Sequence, residues 1–256
     1  MGKTTSAFGG GETGRACYDA QAMHVPSGKA AILPEARASA AYDPNCRRCA
    51  RLAEFRDAVH AKHPSYWCRP VPPFGAPDAA FVIVGLAPGM HGANASGRPF
   101  TGDYAGILLY ETLHAYGFAS QPVSTMPGDG LELIGCRITN SVKCLPPANK
   151  PLPSEVKTCN AYLEVDLAAL PAGGAILALG RVAHGAALRA LGLKLSEFPF
   201  AHGARHKLPE RRAFFDSYHC SRYNTNTGRL TPAMFRAVFD DVAAHLAQTA
   251  QSRRAA

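Results

Sequence analysis

Four short apolar runs alternate along this chain with helical patterns, and that alternation restricts the fold more than any other feature. The runs lie at 81–84, 133–139, 175–179 and 213–218, and helical patterns fall between them at 104–116, 154–170 and 181–191. A strand covered on both faces reads as a nearly continuous apolar stretch, as Phe81-Val82-Ile83-Val84 does. Strands separated by helices return parallel to one another. The expected fold class is therefore α/β, a three-layer α/β/α domain around a central four-stranded, mainly parallel sheet. A last helix is expected over 232–248, where Met234, Val238, Val242 and Leu246 recur at helical spacing.

Residues 1–42 are rich in Gly, Ala and Ser without sustained periodicity and read as a mobile N-terminal arm. One folded domain is expected over 43–248, followed by a C-terminal tail, 249–256. Asp43-Pro44-Asn45 suits an Asx-type turn, placed to cap a helix that carries Cys46, Cys49, Leu52, Ala53 and Phe55. Residues 64–78 hold five prolines and read as an extended loop into the first strand. With 47% hydrophobic residues the chain can bury a sizeable core, yet no apolar stretch is long enough to cross a bilayer. No membrane partner is expected. The N-terminus shows no signal-peptide core, so a cytoplasmic protein is expected. There, eight cysteines read as metal ligands or buried thiols before disulfides.

The net charge of +8 is unevenly spread: residues 181–256 carry 12 Lys and Arg against 5 Asp and Glu, while residues 1–180 are nearly balanced at 15 against 14. Such asymmetry suits a polyanionic partner, or a merely solvated basic surface. The basic segment 202–212 extends any phosphate track.

Chemistry concentrates at the ends of the expected strands. After the first comes Gly85-Leu86-Ala87-Pro88-Gly89-Met90-His91-Gly92, continuing through Gly97, Arg98-Pro99-Phe100 and Gly102 to Asp103, the only carboxylate of the block. A glycine-rich loop at the carboxyl end of a strand is where an open α/β sheet places its ligand. Taken alone, it also suits a surface turn or a phosphate cradle. Asn140 and His219 end two further strands. An Asn amide can read the edge of a pyrimidine, and a His can stabilise charge on a carbonyl oxygen, although either residue alone also suits a structural role. Cys46 and Cys49 form a C-x2-C pair, and Cys144 and Cys159 a wide second pair broken by prolines. The wide pair leans towards an iron–sulfur cluster over zinc, with unligated buried thiols as the alternative. Cys17, Cys68, Cys136 and Cys220 show no comparable spacing.

Together these blocks resemble the uracil-DNA glycosylase superfamily, specifically its iron–sulfur family 5 (type b) enzymes. The likeness covers residues 43–245 and rests on C-x2-C at 46–49, Tyr66-Trp67 with Pro70-Val71-Pro72, the 85–103 block, Thr139-Asn140 before Cys144, the proline-rich run to Cys159, and 218–231. The resemblance implies a [4Fe–4S] cluster on Cys46, Cys49, Cys144 and Cys159, bound beside an N-terminal helix. It implies that Gly85, Leu86, Ala87, Pro88 and Gly89 supply backbone around a flipped base and that Phe100 stacks on it. Asn140 would bond the base edge, His219 would face the carbonyl that gains charge, and Asp103 would be the catalytic carboxylate. Leu86 stands where several families of the superfamily carry a polar or acidic residue, as is typical of type b members. The familiar His-Pro-Ser motif appears here as His219-Cys220-Ser221.

The implied activity is excision of uracil, with hypoxanthine or xanthine as further candidates, from DNA by a monomeric enzyme. Arg222, Tyr223, Asn224, Asn226 and Arg229 are the expected DNA contacts, with Tyr223 the candidate wedge. No lysine stands at a nucleophile's place in the motifs, so a monofunctional glycosylase is expected; Lys143 is read as a backbone-phosphate contact. The competing readings are a family 4-like strict uracil enzyme and a non-catalytic, metal-stabilised module that binds DNA damage. A nucleotide hydrolase fits less well, because no Lys-Ser/Thr follows the glycine loop.

Overall fold

A computed structural model describes Gly2 and residues 42–254. The expected arm, 1–42, falls almost wholly outside the described residues. Along the chain run α1 (Ala50–Lys62), β1 (Phe74–Gly75), β2 (Phe81–Gly85), α2 (Ala93–Ser96), α3 (Tyr104–Ala115), β3 (Cys136–Asn140) and α4 (Pro153–Ala168). There follow β4 (Ala175–Leu179), α5 (Arg181–Ala190), β5 (Arg205–Lys207), β6 (Ala213–Ser217), α6 (Arg222–Asn226) and α7 (Pro232–Arg254).

The sheet has six strands in the order β1-β3-β2-β4-β6-β5, where four were expected. The four expected strands form its parallel centre. The two additions are antiparallel edges, Phe74-Gly75 on β3 and Arg205-His206-Lys207 on β6. Neither carries an apolar pattern, because an edge strand is held by backbone pairing on one side and tolerates charge. Three boundaries also move. β3 begins at Cys136, not 133, because Gly135 takes a φ of +59° and Leu133 bridges Ala119 instead. The last helix continues past 248 to Arg254, so the described part of the expected C-terminal tail is helical. Finally, α1 starts at Ala50 with Cys49 as its N-cap, so Cys46 and Cys49 precede the helix that was expected to carry them. The Asx turn does form, with Asn45 N–H donating to Asp43 Oδ1 at 2.8 Å. The carbonyl of Cys46 then accepts from the Arg56 guanidinium at 2.9 Å and is not part of a helical ladder.

Alternation along the buried strands sorts side chains to two faces. Phe81, Ile83, Ile138, Leu177 and Phe215 pack under Leu109, Leu113, Phe235 and Phe239 of α3 and α7. Val82, Val84, Ile176, Ala178 and Phe214 face Leu163, Leu167, Ala187 and Leu188 of α4 and α5. The result is the expected three layers, with the carboxyl ends of β2, β3, β4 and β6 at one edge.

Candidate active site

A cleft of about 540 Å³ opens at that edge. The connection from β2 to α3 lines it with Leu86, Ala87, Gly89, Phe100 and Asp103; β3 supplies Asn140, and the segment after β6 supplies His219, Arg222 and Tyr223. Five of the residues expected at the site do not line it: Gly85, Pro88, Asn224, Asn226 and Arg229. Others were missed, notably Tyr104, Asn149, Gly180 and Arg181. Gly180-Arg181 follows β4 as a strand-end Gly, the same signal that marked the first loop.

Register explains how distant motifs meet. Gly85 on β2 pairs directly with Asn140 on β3. A Cβ at Gly85 would overlap both Asn140 Oδ1 and the Phe100 ring, so glycine permits the two to close in behind the cleft. Asn140 is only 3% exposed, and its Oδ1 is buried without a hydrogen-bond partner among the described residues. Such an orphaned acceptor costs about 1–3 kcal/mol and is uncommon in a folded protein.

Phe100 reaches the cleft from a left-handed backbone, φ +56°. That conformation is unfavourable for a residue with a side chain, and its neighbours hold it. Tyr110 Oη donates to Pro99 O at 2.7 Å, and Arg98 forks onto Asp129 at 3.0 and 2.6 Å. On the other side, a Cβ at Gly106 would overlap Phe100 O. The Phe100 ring lies nearly parallel to that of His219, with centroids 5.9 Å apart and planes 26° apart.

Asp103 stands at the N-cap of α3 without capping it. Its carboxylate turns back onto the glycine loop, where Ala93 N–H donates to Oδ2 at 3.1 Å. A Cβ at Gly89 or Gly92 would overlap the carboxylate, so both glycines make room for it. Burial pushes the Asp103 pKa above its ordinary value, against the pull of the Ala93 and Gly89 N–H groups. Among the described residues His219 has no carboxylate partner, and burial pushes it down to about 4. It is therefore a neutral imidazole at neutral pH.

The segment after His219 folds more than expected. Ser221 caps α6, and the Asn224 amide donates to His219 O at 2.8 Å, so Asn224 braces the histidine backbone. Tyr223 is 71% exposed at the cleft mouth, as a wedge would be. The basic segment 202–212 runs past both ends of β6: His202 stacks on Tyr218 and accepts from its backbone N–H at 3.2 Å, beside His219. Arg212 sits at the amino end of β6, donating to Leu170 O at 2.6 Å, and His206 faces the buried Asp216 at 3.3 Å. Lys143 is no phosphate contact: at 2% exposure its ammonium pairs with Asp166 at 2.8 Å and also bonds Thr139.

On the α4 side of the sheet, Cys46, Cys49, Cys144 and Cys159 line one small pocket. The four thiols are free, and Lys143 N–H donates to Cys159 Sγ at 3.3 Å. Burial raises the Cys49 and Cys159 thiols and pushes Cys144 up to about 12. Among the described residues no group of three or more His, Cys, Asp or Glu is placed to hold a single metal ion. A cluster of several irons and sulfides is larger than one ion and takes ligands set farther apart, so convergence without single-ion geometry is compatible with it. The other described cysteines, Cys68, Cys136 and Cys220, are buried apart from this set, and burial pushes Cys220 up to about 12.

A family model described as the uracil DNA glycosylase superfamily matches residues 72–243. A Type-5 uracil-DNA glycosylase of Thermus thermophilus is 49% identical over 195 residues, which span 74% of this chain and 89% of that protein. Its counterpart in Mycobacterium leprae is 41% identical over 224 residues, 84% of this chain and 96% of the relative. A Type-4 uracil-DNA glycosylase of Archaeoglobus fulgidus is 35% identical over 140 residues, 54% of this chain and 56% of the relative.

Proposed function

Since the chain belongs to the uracil-DNA glycosylase superfamily, we propose that its cleft receives an extrahelical uracil from DNA and hydrolyses the N-glycosidic bond, leaving an abasic site. Hypoxanthine and xanthine belong to the proposed substrate range, because Leu86 leaves one wall of the cleft without a charged group. The observation that carries the reading is the orphaned Oδ1 of Asn140, buried at the back of a cleft that also holds Asp103 and His219. A uracil ring offers N3–H to that acceptor and a carbonyl oxygen to the amide NH2.

Each group has a task in this reading. The target base lies inside the duplex stack and must be extruded before its bond can be reached. Phe100 stacks on the extruded base, and the Asn140 amide fixes its edge. As the C1′–N bond lengthens, its electron pair moves onto the base, and His219 donates an N–H to the carbonyl oxygen that gathers charge. A neutral imidazole performs this task without first having to lose or gain a proton. In its ionised form Asp103 faces the positive sugar, orients the water whose oxygen bonds to C1′ and takes the proton that this water loses. Gly85 and Pro88 shape the loop from behind. Arg222, Tyr223, Asn226 and Arg229 meet the strand, with Asn224 acting through the His219 backbone.

Among the described residues no lysine lines the cleft, which supports a monofunctional enzyme without lyase activity. The Type-5 relatives match over nearly their whole length, and this favours the type b reading over the Type-4 one. The four cysteines also fit a [4Fe–4S] cluster: all are free, two come from the segment before α1 and two from beyond β3, and an N–H already points at one sulfur. Bound there, the cluster cross-links the N-terminal segment to the sheet, and no step of the hydrolysis uses it. The proposed enzyme is a cytoplasmic monomer. No helix among the described residues is long and apolar enough to cross a membrane.

Incubation with labelled duplexes carrying uracil, hypoxanthine or an undamaged base, followed by alkaline cleavage, tests the function. Cleavage at uracil alone among uracil and undamaged sites is expected; binding without cleavage would favour a damage-binding module. Borohydride should trap no covalent adduct. The purified protein should be brown and contain iron, whereas a colourless protein holding zinc would overturn the cluster.

A further inference from the structure

Arginines of this protein are held by carboxylates, by aromatic faces or by both: Arg51 closes on Glu155 at 2.7 Å, Arg98 closes on Asp129 at 2.6 Å while lying over Phe74, and Arg229 lies on Tyr218 outside the cleft lining. Arg181 and Arg222 both line the cleft, both are exposed, and neither forms an ion pair with any described residue. Each is instead laid on an aromatic ring. Arg222 sits 4.8 Å from the centroid of Tyr104, and Arg181 sits 5.4 Å from that of Phe200. The hydroxyl of Tyr104 donates to Asn226 Oδ1 at 3.4 Å, which ties this ring to the far end of α6.

The difference matters for what the guanidinium can do. A carboxylate neutralises the charge and occupies the N–H fork. An aromatic face orients the plane while leaving the in-plane donors free and the positive charge uncancelled. That is the state needed for bidentate capture of a phosphate. The two cations also come from separate strand ends, Arg181 after β4 and Arg222 after β6, so they approach the cleft from different segments.

We propose that Arg181 and Arg222 form a two-point phosphate clamp on the DNA strand at the cleft mouth, with Phe200 and Tyr104 as the residues that position them. The clamp rests on the glycosylase reading for the identity of the polyanion. It adds Arg181, Tyr104 and Phe200 to the residues that serve the cleft.

The test is equilibrium binding of the full-length protein to a duplex carrying 2′-fluoro-deoxyuridine, whose glycosidic bond resists hydrolysis, measured over a range of salt. Arg181→Ala and Arg222→Ala should each weaken binding about tenfold and lower the slope of log affinity against log salt by about one, and by about two when combined. Tyr104→Ala should weaken binding about threefold in the wild-type background and have no further effect in Arg222→Ala. Tyr104→Phe keeps the aromatic face and should bind like the wild type. All variants are to be compared at matched melting temperature. An unchanged salt slope in Arg181→Ala would overturn the clamp, as would a Tyr104→Ala effect that persists in full without Arg222. A wild-type protein that binds but never excises would sink the glycosylase reading and leave the clamp standing. Excision with unaltered slopes in the variants would sink the clamp alone.

Discussion

The cleft and the cysteine pocket draw on one stretch of chain, with Asn140 lining the first and Lys143-Cys144 the second, and their central buried polar groups are treated differently. On the cysteine side Lys143 is held by Asp166 and Thr139, and Arg137 closes on the same carboxylate at 3.3 Å. Three residues earlier, Asn140 leaves its Oδ1 buried and unpaired, and around it stand a desolvated Asp103, a neutral His219 and two arginines without carboxylates. Arg56 Nε and Arg137 Nε are also unpaired on the cysteine side, but both guanidiniums bond elsewhere through their terminal nitrogens, whereas Asn140 lines an open cleft with an orphaned acceptor, the arrangement of a group that awaits a ligand. The two regions should therefore respond differently to substitution.

The largest effect on stability is expected on the paired side. Lys143→Met leaves the Asp166 carboxylate short of its main partner, and unfolding by urea should show a loss of about 3–5 kcal/mol. A loss below about 1 kcal/mol would mean that the network is not a structural element. On the unpaired side, Asn140→Ala should lower single-turnover uracil excision by about a hundredfold, from the hydrogen bonds lost to the base. Its stability should stay within about 1 kcal/mol of the wild type, since an unsatisfied atom has gone. If Asn140→Ala unfolds the protein instead, the contrast between the regions fails.

A further effect is a pH dependence. His219 binds its proton less readily when folded than when unfolded, so between about pH 4 and about pH 6.5 the unfolded chain holds more protons. Stability from this group should rise with pH across that window, by no more than about 1.4 kcal/mol per unit, and be flat above it. Replacing His219 with Gln should remove this component of the urea-unfolding profile; an unaltered profile would place the histidine in water.

Much of this contrast was legible in the chain, and the reasons are local. Apolar runs located the four central strands, because each is buried on both faces. Glycines before Asp103 marked the first strand end, and three of them, Gly85, Gly89 and Gly92, prove to be sites where a side chain would collide with the carboxylate, Asn140 or Phe100. What escaped was long-range. Edge strands β1 and β5 have no apolar signature. Lys143, beside a cysteine, gave no sign of its partner Asp166, 23 residues away. Composition reports the charge of segment 202–212 but not that its members are spread over both ends of β6, with His202 against Tyr218 and Arg212 against Leu170. Arg181 and Tyr104 were passed over because a cation on an aromatic face leaves no motif when its two members stand far apart in sequence.

Asp103 decides between a cleft that merely holds a base and one that cuts it. The direct measurement is single-turnover excision of uracil from duplex DNA by Asp103→Asn, with affinity for the same duplex and melting temperature taken on the same sample. Excision should fall by about a thousandfold, while binding is retained and the melting temperature is unchanged or higher, since a desolvated carboxylate has been removed. Excision within tenfold of the wild type would contradict the assignment.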